Sequence, residues 1–84
     1  MDQITEIVNA LKGLVKCLAA DKANVSLEAI RQTTTHVVIC VRVSQRDLGK
    51  IIGKDGRNAR AIRTLIGSMG IPIGCTLSVD ISSQ

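Results

Sequence analysis

Aromatic rings are missing altogether: the 84 residues include no Phe, Tyr or Trp. That absence argues against nucleic-acid modules that stack bases on aromatic side chains, such as RRM sheets and most single-strand-binding OB folds. Histidine occurs once, at His36, and Cys17, Cys40 and Cys75 are odd in number and far apart. One imidazole and three scattered thiols suit neither a zinc site nor a disulfide framework. The thiols read as small apolar side chains of a reducing compartment, Cys17 being the most reachable, and no metal or cofactor is called for. No apolar run approaches the roughly 20 residues that span a bilayer. The start, Met1-Asp2-Gln3-Ile4-Thr5-Glu6, lacks the basic n-region of a secretory signal. The expected compartment is the cytoplasm, with no membrane partner.

Catalysis finds no footing either. Gly49 to Lys54 superficially suggests a P-loop, but its spacing is one residue short and Asp55 stands where Ser or Thr would hold magnesium. A Ser-His-Asp set would rest on His36 alone, which reads more simply as a polar residue opening a strand. The carboxylates are scattered. The chain is read as no enzyme, with no small-molecule substrate.

What is present is a concentrated basic segment. Between Arg42 and Arg63 lie seven basic residues (Arg42, Arg46, Lys50, Lys54, Arg57, Arg60, Arg63) and two acidic ones, Asp47 and Asp55, a local net of +5. The whole chain carries +4, so the remainder is slightly acidic. Such concentration favours an anionic partner there over a merely solvated face. At its centre is Leu48-Gly49-Lys50-Ile51-Ile52-Gly53-Lys54-Asp55-Gly56-Arg57. Gly53 and Gly56, lacking β-carbons, let a polyanion's backbone come close. The amides and positive dipole end of the helix that follows would then face it.

The hydrophobic share of 45% comes almost wholly from Ile, Val, Leu and Ala, enough for one domain of modest core that buries about 60 to 65% of its unfolded surface. Ile4, Ile7, Val8, Leu11, Leu14, Val15 and Leu18 predict an amphipathic helix over about residues 2 to 20. Val25, Leu27 and Ala29 alternate as a half-buried strand, and Val37 to Val43 is nearly continuous and β-branched, as a central strand would be. Pairing Leu27 with Ile39 closes a hairpin around Gln32-Thr33-Thr34. Ser44 to Asp47 resembles a capping box that starts a short helix through about Ile52. Beyond the glycine loop, Ala59, Ile62, Leu65, Ile66 and Met69 define the apolar face of a further helix, with Arg57, Arg60 and Thr64 opposite and Arg63 at the edge. Gly70 suits its C-cap. Leu77, Val79 and Ile81 alternate as a last strand. The resulting order, α-β-β-α-α-β, predicts an α+β fold with three helices on one face of a three-stranded mixed sheet, its second and third strands joined by a right-handed parallel crossover.

These features resemble a type II KH domain. The signature Ile-Gly-x-x-Gly stands as Ile52-Gly53-Lys54-Asp55-Gly56, and Arg57 to Leu65 is similar to the small stand-alone bacterial KH proteins of the KhpA type. The likeness runs from the first helix to the last strand, and with the matching length it implies that residues 1–84 are one complete KH domain. It further implies binding of single-stranded RNA beside the loop, about four nucleotides being clamped. The residues carried over are Lys50, Ile52, Gly53, Lys54, Asp55, Gly56, Arg57, Arg60 and Arg63, with Ile51, Ile52 and Ile62 as expected groove walls. The resemblance implies an RNA chaperone or post-transcriptional regulator. It also implies a homodimer, or a heterodimer with a larger KH-containing RNA-binding protein. Two departures stand out: Asp55 puts a carboxylate in the loop, and Ala59 replaces a larger aliphatic residue common in KH domains.

A rival reading keeps the fold as a dimerisation or interaction module whose partner binds the RNA. The outer sheet face, carrying Ser26, Glu28, Ile30, Val38, Cys40, Arg42, Thr76, Ser78 and Asp80, has a small apolar centre that suits it.

Overall fold

Asp2 opens the first helix: its carboxylate accepts the Thr5 N–H at 2.7 Å and satisfies a donor with no partner inside the helix. The computed structural model of the chain describes residues 2–84. Helix α1 spans Gln3–Leu18 and is followed by strands β1, Ser26–Arg31, and β2, His36–Val43. Helices α2, Gln45–Ile52, and α3, Arg57–Gly70, lead to β3, Thr76–Ser83. Short 3-10 turns occupy Lys22–Asn24, Lys54–Gly56 and Ile71–Ile73. This is the α-β-β-α-α-β order that the sequence pattern predicts.

The sheet runs β1-β2-β3, with β1 antiparallel and β3 parallel to the central β2. Central placement explains the β-branched run: Val37, Ile39, Val41 and Val43 are all buried, while Val38 and Cys40 on the other face are half-buried. The hairpin register differs from expectation by two residues, since Leu27 faces Val41 and Ala29 faces Ile39. The connection is longer, with the Gln32 and Thr33 amides both donating to the His36 carbonyl. A two-residue slip keeps every side chain on its expected face, so the outer face is composed as the alternation predicts.

The helices cover the other face and close one core, in which Leu11, Val15, Ile51, Ile62 and Ile66 meet Val37, Ile39, Val41, Val43, Leu77 and Val79. Each fully buried aliphatic side chain there contributes roughly 1.5–3 kcal/mol. Helical periodicity overstates how much of each helix is covered: Leu65 is 49% and Leu14 42% exposed. A three-stranded sheet gives each helix only a narrow strip to pack on.

Two expected caps are corrected. Ser44 holds the N-cap position of α2, but its side chain caps no amide; its hydroxyl donates to Asp47 Oδ2, whose carboxylate is turned into the protein. Gly70 is right-handed, φ −75°, and the chain turns instead at Gly74, φ 69°. Gly70 is required for close packing, because a β-carbon there would lie 2.2 Å from the Cys75 carbonyl oxygen.

Candidate nucleic-acid interface

Three left-handed residues make the turn between α2 and α3: Gly53 (φ 79°), Asp55 (φ 57°) and Gly56 (φ 75°). Gly53 is fixed twice over, by its φ and by space, since a β-carbon would come within 2.8 Å of Asn58 Cγ. Its amide donates to the Gly49 carbonyl at 2.8 Å, ending α2, and the Gly56 amide returns to the Gly53 carbonyl at 3.0 Å. Asn58 ties the two helices together by donating from Nδ2 to the Lys50 carbonyl at 3.0 Å. Asp55 has a backbone reason to be there, because Asp tolerates the left-handed region better than most side chains.

This geometry leaves the Lys54 and Asp55 amides with no acceptor among the described residues. Helix α3 begins beside them with neither a side-chain cap nor an acidic residue in its first turn. Its positive dipole end is therefore uncompensated from within the helix, Asp55 before the N-cap being the nearest carboxylate in the sequence. Lys50, Lys54, Arg57 and Arg60 are all exposed around that point. The single ion pair among the described residues joins Lys50 Nζ to Asp47 Oδ1 at 3.8 Å, with the Lys50 side chain 57% exposed. Such a contact hardly neutralises the lysine. Loop amides, helix end and four exposed cations thus lie on one helix-loop-helix unit.

The apolar walls need correction. Ile51 and Ile62 are 0% and 5% exposed and belong to the core, so only Ile52, half-buried, remains at the surface beside the loop. Helix α2 turns Asp47 and Ile51, four residues apart, inward together.

Arg63 is drawn to a different neighbour, its Nε donating to the Val79 carbonyl of β3 at 3.3 Å. Among the described residues strand β3 pairs only with β2, so its far edge is open. The Thr76 and Gln84 amides turn toward β2, donating to Thr35 and Val43. Alternation then aims the backbone groups of Leu77, Val79, Ile81 and Ser83 outward. Arg63 bridges α3 and this edge, beside the basic surface that continues from the loop.

Asp47 and Asn58 hold the site in place; the Ser44–Asp47 spacing marks only a local cap, and no spacing marks Asn58. The buried Asp47 carboxylate accepts the Ala20 amide at 3.1 Å and the Asp21 amide at 2.9 Å. Those two bonds, the Asp21 amide first, hold its pKa below the ordinary value of 3.8 against the opposing effect of burial. The start of α2 is thereby fastened to the end of α1. Among the described residues no group of three or more His, Cys, Asp or Glu is placed to hold a metal, and no helix is long and apolar enough to cross a membrane.

The family model for the KH domain of KhpA and KhpB matches residues 8–81. The RNA-binding protein KhpA of Aquifex aeolicus is 40% identical over 78 residues, covering 88% of this chain and 98% of its own. Its namesake from Borreliella burgdorferi is 43% identical over 74 residues, covering 88% and 89%. That of Streptomyces coelicolor is 44% identical over 61 residues, covering 73% and 76%. The match takes in the sheet, both helices beside the loop and the loop itself, and on that ground the chain belongs to the KhpA/KhpB KH-domain family.

Proposed function

We propose that this protein binds single-stranded RNA through its sugar-phosphate backbone, seated on the Gly53–Gly56 loop, and that residues 1–84 act as a single KH domain. The observation that carries the reading is the pair of unclaimed amides at Lys54 and Asp55, set against the uncapped start of α3. Hydrogen bonds from such donors to an ionised oxygen are about twice as strong as neutral ones. The surrounding Lys50, Lys54, Arg57 and Arg60 supply long-range attraction to a polyanion. Relatives named RNA-binding protein KhpA support the choice of RNA. The role that follows is that of a cytoplasmic RNA chaperone or post-transcriptional regulator, with no catalytic step. One site reaches about four nucleotides, so the protein works as a homodimer or beside a larger KH-containing RNA-binding protein.

The test is Lys54→Asp, which sets two carboxylates side by side between Gly53 and Gly56. Affinity for a single-stranded RNA is expected to fall on the order of 10- to 100-fold. The residue is exposed, so the melting midpoint should move by no more than about 2 °C. Circular dichroism melts and RNA titrations on the same samples read both. Unchanged affinity in a folded variant removes the loop from the interface.

A further inference from the structure

We infer that Asp55 selects RNA over DNA, its carboxylate accepting the 2′-hydroxyl of the ribose whose phosphate lies on the loop. The inference rests on the proposed RNA site and deepens it. Three observations single out this side chain. Asp55 is exposed in the middle of the loop, and its own amide is one of the two donors with no acceptor among the described residues. Its carboxylate accepts no hydrogen bond and joins no ion pair among those residues, although Lys54 precedes it and Arg57 follows two positions on. Its φ of 57° accounts for a residue that tolerates the left-handed region but not for a charged one. Asn is equally at home there and glycine more so, and neither sets a negative charge against a polyanion.

The chemistry of the polymer decides what such a carboxylate can take. Along a sugar-phosphate backbone the phosphate, ester and ring oxygens are all acceptors, and an ionised carboxylate, itself acceptor-only, is repelled by them. The ribose 2′-hydroxyl is the one donor in that backbone, and deoxyribose lacks it. It sits on the carbon next to the one that bears the 3′-phosphate. A phosphate held by the Lys54 and Asp55 amides therefore brings it within a side chain's length of the Asp55 carboxylate. An O–H donated to an ionised oxygen is a strong bond. In RNA that bond offsets the repulsion between carboxylate and phosphate; in DNA the repulsion stands alone. The cations at Lys50, Lys54, Arg57 and Arg60 attract both polymers. They set affinity, and Asp55 sets which sugar is accepted.

The experiment compares, by fluorescence anisotropy, labelled octamers that share the uracil base and differ only in the sugar: uridine, 2′-deoxyuridine, 2′-O-methyluridine and 2′-fluorouridine. The last two keep a ribose-like pucker but carry no donor. The wild-type protein is expected to bind the uridine octamer about tenfold more tightly than the other three. Asp55→Gly, which suits the left-handed turn, should bring all four within about twofold of one another and bind the deoxyuridine octamer more tightly than wild type does. Asp55→Asn keeps one acceptor oxygen and should retain about a threefold preference for uridine; it decides the matter if the glycine variant melts early. Wild-type binding without sugar preference, methylated or fluorinated octamers bound as tightly as uridine, or a full preference persisting in Asp55→Gly overturns the inference while leaving the RNA site standing. Uridine binding that chelation of Mg²⁺ abolishes in wild type but not in Asp55→Gly also overturns it, because the carboxylate then bridges to phosphate through a cation. A wild-type protein that binds none of the four overturns both.

Discussion

A single carboxylate, Asp47, fastens the α1 end to the α2 start, accepting the Ala20 and Asp21 amides and the Ser44 hydroxyl while wholly buried. Its spacing from Ser44 was legible as a capping box, but the amides it takes lie 26 and 27 residues away, and local spacing carries no record of them. Gly53 was legible for the opposite reason, since a left-handed turn squeezed against a neighbouring side chain admits no β-carbon. Asp47→Asn replaces one acceptor oxygen by an amide NH2 donor facing a backbone N–H. The melting midpoint near neutral pH should drop by on the order of 5 °C. The Asp47 pKa is lowered on folding, so its contribution is present above the unfolded value and fades as pH falls through the lower folded one. Thermal melts from about pH 7 down to about pH 2.5 should therefore converge for wild type and variant below the ordinary 3.8. A gap of constant size at every pH would remove the ionised carboxylate as its cause.

At the scale of elements, helix-loop-helix and strand order were readable because each rests on local periodicity and on glycine chemistry. Register was not: period two assigns faces, and Leu27 reaches Val41 instead of Ile39 only because the connecting turn is longer. Nor was helix coverage, because Leu65 satisfies the 3.6-residue repeat yet is 49% exposed. Ile51 and Ile62 were assigned to groove walls although they fill the core, because nearness to the loop in sequence does not say which way a side chain faces. The basic character of the α2-loop-α3 unit was fully legible, and the exposure of Lys50, Lys54, Arg57 and Arg60 gives it a measurable consequence. Three to four phosphate contacts correspond to a log–log salt slope of about −2 to −3 on single-stranded RNA. Affinity should weaken roughly 20- to 50-fold between about 50 and 200 mM salt. Arg60→Ala should flatten the slope by about 0.7. Titrations at four or five salt concentrations measure it, and a wild-type slope near zero would mean that phosphates are not what the site holds.

The whole molecule is small enough to limit what one copy achieves. Its Cα radius of gyration is 12.3 Å and its longest extent 35 Å, built around one continuous core. Among the described residues there is one left-handed glycine loop between helices, hence one unit that carries both the loop amides and the exposed cations. Without aromatic rings no base is stacked on an aromatic face, and each of the few contacts available to about four nucleotides is modest. Useful affinity then calls for two linked sites, where the second binds at the effective concentration set by the first. The half-buried Val38 and Cys40 and the 44%-exposed Ile30 give the outer sheet face an apolar centre on the side away from the loop-bearing helices. A partner seated there would leave the proposed RNA sites of both copies open. A short RNA of four nucleotides and one of about 24 separate the two regimes. The long RNA should bind roughly 10²-fold more tightly than the short one wherever sedimentation shows a dimer. Ile30→Glu, at the rim of that face, should lower both the dimer fraction and the long-RNA advantage while leaving the short RNA unaffected. A protein that sediments as a monomer and still holds the four-nucleotide RNA at nanomolar Kd would show that one site suffices.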